Sequence, residues 1–292
     1  MPHFSPLGKY LSLTPAILFF AVLALLPVIN LFITSFQEVT WQAGAKETTW
    51  VGFKNFAAMK DDTLFKAGIV NTAILVVVAT SAQVAIGLAL ALACSNLGEK
   101  SRPYRALLIL PILIPGIVIG AIWRLMYNAE FGIFNLVLES IGLPGHDWLG
   151  SSTTALASVI VVDIWHWTPF SFLLLLAAVE SLPKDVSEAA KIDGATAWQE
   201  FRYVTLPLLY PALAMTFLFR AVIAFKVFDE VFLLTSGGPG TSTEVISFTI
   251  FQRFFLQDKA GYGSALSVSI IFVVSIIIVI ALNASRKKGE AL

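Results

Sequence analysis

Cysteine and histidine are scarce in this sequence, and their scarcity excludes several kinds of site. The single cysteine, Cys94, lies in an apolar run and has no second cysteine to pair with, so neither an internal disulfide nor a cysteine metal site is predicted. The three histidines lie in distant regions without the spacing of a metal site or a catalytic set, so no catalytic or metal-ligating residues are predicted. A glycine-rich loop of the nucleotide-binding type is absent as well, so any ATP would be bound by another chain.

Charged residues are also few, and this places the protein in a membrane. Only 13% of the residues are charged while 57% are hydrophobic, whereas a soluble domain carries about a quarter charged residues. The formal net charge is zero, which gives no basic excess for nucleic acid. An integral membrane protein surrounded by a lipid bilayer is predicted.

Six stretches are apolar enough to cross a bilayer, which takes roughly 20 residues. Each should be a helix, because a spanning segment must satisfy its own backbone hydrogen bonds and these runs are too continuous for barrel strands. The first is too long for a signal-peptide core and should be retained. One all-α domain over residues 1–292 is expected, with spans near 11–36, 67–94, 106–127, 155–178, 206–228 and 265–282.

Basic residues are unevenly shared between the two sides of such a six-span chain. Ten of them lie in the segments on the side of the termini, six lie in the longer segments opposite, and three lie in or beside spans. Because basic loops stay in the cytoplasm, both termini and the segment 183–205 are expected to be cytoplasmic.

The segment 183–205 is a polar island within this apolar chain. Asp185 and Thr196 are each followed three residues later by Glu or Gln, a pattern that predicts a capping box at the start of each of two short helices. Gly194 would end the first helix in the left-handed conformation and form an elbow. Pro207 then falls in the first turn of the next apolar helix, where its missing N–H is tolerated.

Several polar and aromatic residues lie at membrane depth, where charge is costly and normally faces a partner or a water-filled path. Aromatic rings with polar tips suit stacking against sugar rings. Residues four apart share a helix face, which groups His166 with Phe170 and Arg220 with Ala224. The candidate substrate path consists of Gly116, His166, Trp167, Phe170, Arg220, Ala224 and Val227.

Structural interpretations of the same residues stay open. The tryptophans would also fit an interfacial belt or helix packing, Arg220 would also fit a structural pair with Asp163, and Gly116 would also fit close helix packing or a kink. Two segments on the opposite side, 131–148 and 236–240, are predicted to be ordered loops. They would either face a soluble partner or cap the helix bundle.

The polar island resembles a loop of a known protein family. Glu188-Ala189-Ala190, followed after three residues by Gly194 and after nine more by Val204-x-Leu206-Pro207, resembles the conserved cytoplasmic loop of permease subunits of binding-protein-dependent ABC importers. Val204 stands where the family usually has isoleucine, a change that preserves the apolar contact. Further segments resemble the carbohydrate branch of the family, namely Leu110-Pro111 and Pro115 ahead of Trp123, Asp193-Gly194-Ala195, Phe228-Asp229, and Leu233 to Pro239 with Ser242-Thr243.

The resemblance implies a type I ABC importer permease fold with cytoplasmic coupling helices, in a bacterial cytoplasmic (inner) membrane. It implies four kinds of partner: a second, homologous permease that forms a heterodimer or a homodimer with this one, two ATP-binding cassette subunits, an extracytoplasmic solute-binding protein, and lipid. ATP and Mg²⁺ would lie on the ATPase subunits, with no cofactor in this chain and no enzymatic activity of its own. The implied ATPase-coupling residues are Glu188, Ala189, Ala190, Asp193, Gly194, Leu206 and Pro207.

The expected function is ATP-driven import of a sugar, polyol or glycoside by alternating access. Arg220 and Lys226 would suit an anionic solute such as a phosphorylated or sulfonated glycoside, but they would equally suit a structural role. Rival hypotheses are an ion-gradient-driven secondary transporter and a membrane enzyme or scaffold subunit. Only Asp163 offers the core acidic group that a coupled carrier would need.

Overall fold

The computed structural model describes residues 6–42 and 45–289, and within them the chain is mostly helical. This confirms the all-α prediction. In chain order the α-helices are α1 (Pro6–Ser35), α2 (Lys54–Ala58), α3 (Thr63–Leu97), α4 (Arg102–Leu113), α5 (Gly116–Met126), α6 (Ile133–Ser140), α7 (Ala155–Glu180), α8 (Lys184–Ile192), α9 (Ala197–Glu200), α10 (Leu206–Ala224), α11 (Asp229–Leu234), α12 (Ile246–Phe251) and α13 (Ala260–Gly289). Short 3₁₀ turns lie at Met59–Asp61 and Gly98–Ser101, and π-helical turns lie at Phe201–Thr205 and Gln252–Leu256.

Five helical stretches in the described part of the chain are long and apolar enough to cross a membrane. They are Leu13–Ser35, Thr63–Leu113, Ala155–Glu180, Ala197–Ala224 and Ala260–Ile280. The sequence predicted six spans, each a single helix, and this prediction is wrong for the third span. The stretch predicted as one span over 106–127 is formed by α4 and α5, with a break at Ile114 and Pro115.

The break has a local cause. A residue that precedes proline is pushed out of the helical region, and Ile114 has an extended backbone with ψ of 128°. Pro115 is extended too, with ψ of 139°, and serves as the N-cap of α5. Because proline has no N–H to donate, α5 cannot continue the hydrogen bonds of α4.

The described residues form two compact units. The first comprises the described parts of 1–62 and 250–275. It includes an antiparallel hairpin of β1 (Gln37–Gln42) and β2 (Ala45–Trp50), which the sequence did not predict. The second comprises the described parts of 63–249 and 276–292. The expectation of a single permease domain stays a prediction.

A half-buried ion cluster stabilises the first unit. Arg253 donates two hydrogen bonds to the Asp62 carboxylate, at 2.7 and 3.0 Å, and the Tyr262 hydroxyl donates a third at 2.9 Å. Asn55 ties two chain segments together by donating to the carbonyls of Ser35 and Gln37 at 3.0 and 2.9 Å. The unit therefore joins chain segments about 200 residues apart.

Close packing of α3 on α7 forms the centre of the second unit. A Cβ added at Gly87 would lie 2.9 Å from the backbone nitrogen of Phe172, so only glycine allows the two helices to approach this closely. Ala91, Cys94, Phe172 and Leu175 pack together here. Cys94 is thus a buried apolar side chain, as its surroundings in the sequence predicted.

Candidate functional site

The short helices α8 and α9 are joined by a turn at Gly194, as the polar island predicted. Gly194 has φ of +79°, the left-handed region that favours glycine. The capping box at Thr196 is present: its hydroxyl accepts from the Gln199 N–H at 3.4 Å, and its own N–H donates to the Gln199 side chain at 2.8 Å.

The capping box expected at Asp185 is wrong. Helix α8 begins at Lys184 with Pro183 at its N-cap, so Asp185 lies inside the first turn. The proline fixes its own φ and has an extended backbone, which ends the preceding segment before Asp185 is reached. The carboxylate instead contributes negative charge near the helix N-terminus.

Helix α10 does not begin afresh at Pro207, because the helical run from α9 continues through the π turn Phe201–Thr205. The uninterrupted run Ala197–Ala224 has 28 residues, which corresponds to roughly 40 Å at 1.5 Å per residue. The π turn ends at Thr205, two residues before Pro207, whose missing N–H would otherwise interrupt the hydrogen bonds of the helix. One continuous helical run thus joins the Gly194 turn to the interior of α10.

The predicted coupling residues lie mostly on the surface of this element. Glu188, Ala189, Asp193, Gly194 and Pro207 are exposed, and Ala190 and Leu206 are half-buried. Large apolar side chains are exposed beside them, with Ile192 86% and Trp198 69% accessible. The Ser187 hydroxyl donates to the Glu200 carboxylate and so ties α8 to α9. An exposed apolar patch on two helices that are held together by a hydrogen bond is typical of a protein-docking surface.

A cavity of about 370 Å³ lies in the second unit, among α4, α5, α7, α10 and α11. Five predicted path residues line it: Gly116, His166, Trp167, Arg220 and Val227. Of the other two, Phe170 is half-buried and Ala224 is buried, and neither belongs to the described lining. The role of all seven as a substrate path stays a prediction.

Arg220 and Asp163 form a fully buried ion pair beside this cavity. Nη2 of Arg220 donates to Oδ2 of Asp163 at 2.5 Å, and the two side chains are 0% and 1% exposed. Gln83 of α3 donates from Nε2 to the same carboxylate oxygen at 2.9 Å and to the Asp163 carbonyl at 2.8 Å. The guanidinium lies over the Trp167 ring, 5.0 Å from its centroid. The structural pairing of Arg220 that sequence analysis left open is therefore present, and Asp163 is already occupied by two donors.

A second buried pair joins α7 to α11. Nδ1 of His166 and Oε1 of Glu230 are 2.9 Å apart, and both side chains are about 5% exposed. The adjacent Asp229 is more open to solvent, and partial burial together with the Glu230 carboxylate raises the pKa of Asp229, which His166 opposes. Glu230 and Gln83 are site residues that sequence analysis missed, since their partners lie 64 and 80 residues away.

Helix α5 offers glycines to α11 at consecutive turns. A Cβ at Gly116 would lie 2.7 Å from Oδ2 of Asp229, and a Cβ at Gly120 would lie 2.8 Å from the Leu233 side chain. Nη1 of Arg124 donates to the Leu233 carbonyl at 3.3 Å. The close packing that sequence analysis offered as one reason for Gly116 is present, and it holds α11 at the cavity wall.

Both segments expected to be ordered loops make hydrogen bonds within the second unit. The Asn135 side chain accepts from the His146 N–H at 3.0 Å and from Trp148 Nε1 at 2.8 Å. In the other segment, the Thr243 hydroxyl donates to the Gly238 carbonyl at 2.8 Å. These bonds fit segments that cap the bundle. The first segment is not only a loop, because helix α6 (Ile133–Ser140) lies within it.

Comparison with known proteins identifies the family. The family described as binding-protein-dependent transport system inner membrane component matches residues 83–286, more than two thirds of the chain. The chain belongs to this family. The resemblance seen in the Glu188–Pro207 loop is thereby confirmed. The permease is a multi-pass inner membrane protein, and its family is one of transport proteins rather than enzymes.

The permease is similar over most of its length to characterised transport components. It is 34% identical to the trehalose/maltose transport system permease protein MalF of Thermococcus litoralis over 96% of this chain and 94% of that protein. It is 32% identical to the sulfoquinovosyl glycerol transport system permease protein SmoG of Agrobacterium fabrum, covering 91% and 85%. A solved bacterial ABC transporter involved in the import of the acidic polysaccharide alginate matches with a TM-score of 0.84 and 25% identity, covering 96% of this chain and 95% of that one. The type I importer permease fold is confirmed.

Proposed function

We propose that this permease forms one half of the membrane channel of an ATP-driven importer for a sugar, polyol or glycoside, working by alternating access. The family assignment and three carbohydrate-transporting relatives support the substrate class. A second permease would complete the channel, two ATPase subunits would bind ATP and Mg²⁺, and an extracytoplasmic binding protein would deliver the solute. Both termini and the α8–α9 element would face the cytoplasm.

The observation that carries the mechanism is the continuous helix from Ala197 to Ala224. Its first turn bears the exposed Trp198 beside the Gly194 turn, and its last turns carry Arg220 at the cavity. Because one continuous helix links the two ends, an ATPase that moves α8 and α9 would also move the cavity wall. The Ser187–Glu200 bond would make the two short helices move together.

Substitution of Gly194 tests this coupling, and the chain supplies a matched control. Gly142 has φ of +80°, close to the +79° of Gly194, and at both positions a Cβ would meet no described atom within 4 Å. Tryptophan at either site therefore brings similar backbone strain, and at neither site would its Cβ clash within the chain. We expect Gly194→Trp to abolish ATP-dependent uptake and transport-stimulated ATPase activity, with normal membrane levels, while Gly142→Trp retains both.

Glu188→Gln provides a milder test, because Glu188 is exposed and the change removes only its charge. If the carboxylate contacts a basic group of the ATPase, uptake should fall several-fold at unchanged permease levels. Glu99→Gln is the control on the same expected side of the membrane, since the Glu99 pair with Arg102 is highly exposed and contributes little. Normal uptake in both Gly194→Trp and Glu188→Gln would exclude coupling through this loop.

A further inference from the structure

Four aromatic rings in the first unit form a cluster that is largely exposed. Phe36 stacks on Trp50, with ring centroids 5.6 Å apart, and the rings of Phe53 and Phe56 each lie 5.3 Å from the Phe36 ring. Despite these contacts, Trp50 is 68% exposed and Phe53 is 74% exposed. We call these four residues the aromatic cluster. Its two outer rings present apolar surface to whatever surrounds the protein.

The end of the first span sets the depth of the aromatic cluster. The apolar stretch Leu13–Ser35 of α1 has 23 residues, which corresponds to about 35 Å at 1.5 Å per residue, and the hydrocarbon core is about 30 Å thick. Phe36 follows Ser35 directly, so its ring lies at the boundary between the hydrocarbon and the headgroups. The rings of Trp50 and Phe53 are within 5.6 Å of it, whereas the headgroup layer is about 5–7 Å thick. Both exposed rings therefore lie at the depth of the headgroup layer.

Backbone hydrogen bonds hold the cluster at this end of α1. The Val51 N–H donates to the Phe36 carbonyl at 2.9 Å, and the Asn55 side chain donates to the carbonyls on either side of Phe36. A cavity of about 760 Å³ in the same unit is lined mostly by charged and polar residues and by none of the four rings. The unit thus separates a polar surface from an aromatic one.

Lipid suits this aromatic surface better than a protein partner does. The exposed parts of Trp50 and Phe53 amount to roughly 300 Å², since an aromatic side chain offers about 150–250 Å². A stable protein interface takes about 800 Å² from each partner, so these two rings are too small to be one. Tryptophan favours the boundary of a bilayer because its ring is apolar while its N–H reaches polar groups.

We propose that the aromatic cluster is an interfacial lipid anchor, in which Trp50 and Phe53 insert between the headgroups of the bilayer that α1 crosses. The anchor holds the hairpin of β1 and β2 at a fixed depth beside the end of α1. This contact is independent of the proposed importer function, so the effect of Gly194→Trp on uptake neither supports nor contradicts it.

Spin labels on the assembled importer test the anchor. Trp50→Cys, Phe53→Cys and Thr49→Cys are each labelled in nanodiscs of phosphatidylethanolamine and phosphatidylglycerol, with partner subunits that lack cysteine. Thr49 is the matched control, because it is exposed and neighbouring strand residues point to opposite faces. Power-saturation EPR compares collisions with oxygen, which concentrates in lipid, and with a water-soluble nickel chelate. We expect the ratio of oxygen to nickel collisions to be several-fold higher at 50 and 53 than at 49.

Two other results of the EPR experiment overturn the proposal. Few collisions with either reagent at 50 and 53 would show that a protein subunit covers the cluster. Equal ratios at all three positions, or frequent nickel collisions at 50 and 53, would show that water surrounds it.

Photocross-linking decides the question if the cysteine variants fail to assemble. Benzoylphenylalanine introduced at position 53 keeps the aromatic ring of Phe53 and reacts on illumination with whatever touches it. We expect mass spectrometry of the illuminated importer to find phospholipid attached at this position. Attachment to another protein subunit instead of lipid, or no attachment to lipid, overturns the proposal.

Discussion

Separating Asp163 from Arg220 should destabilise the permease strongly, because both side chains are almost fully buried at membrane depth. Asp163→Leu leaves a guanidinium without its counter-ion and removes an acceptor from Gln83. Removing one partner of a buried pair costs about 3–5 kcal/mol, whereas replacing both with apolar residues is often neutral. We therefore expect Asp163→Leu to lower the free energy of unfolding by about 3–5 kcal/mol, and the double variant Asp163→Leu/Arg220→Met to recover most of the loss.

Equilibrium unfolding in mixed micelles, titrated with a denaturing detergent, measures these differences on the purified chain. The double-mutant cycle separates the interaction free energy between Asp163 and Arg220 from the other effects of each substitution. Two results would refute the reasoning: a single variant as stable as the unaltered chain, or a double variant that loses as much as the sum of the two single variants. The second result would mean that the side chains act independently despite the 2.5 Å contact.

Two further substitutions test contacts in the second and the first unit. Gly116→Ala should reduce uptake without reducing membrane levels, because its Cβ would lie 2.7 Å from Oδ2 of Asp229 and force that side chain aside. Wild-type uptake would show that Asp229 can move aside with no loss of function. Asp62→Asn removes the negative charge to which Arg253 and Tyr262 donate. It should lower the local stability by about 1–3 kcal/mol, which would be measured as faster amide hydrogen exchange in residues 54–62. Unchanged exchange would contradict this expectation.

Hydropathy predicted the spanning helices well because the thickness of the bilayer sets a minimum apolar length. It could not show that the third expected span is divided, since apolar residues continue on both sides of Ile114 and Pro115. The signal for the break was the proline itself. The hairpin of β1 and β2 was missed because its strands are short and mostly polar, and Val39 is the one buried side chain among those described in β1.

Local chemistry predicted Gly194 and the Thr196 capping box because both depend on neighbouring residues. The cavity was only partly predictable. Arg220 and His166 were singled out because ionisable and aromatic groups are rare at membrane depth, but Gln83 and Glu230 reach them only through tertiary packing. A single sequence contains no information on which distant polar residue meets which.

The central claim is that the α8–α9 element is where an ATPase engages this permease, and site-directed cross-linking tests it most directly. Ala189 is exposed and the single native cysteine, Cys94, is buried, so a cysteine introduced at position 189 would be the main reactive thiol. With a short bifunctional reagent, we expect Ala189→Cys to cross-link to the ATPase subunit in the assembled importer and Gly142→Cys not to do so. Cross-linking to the ATPase from position 142 but not from 189 would contradict the account.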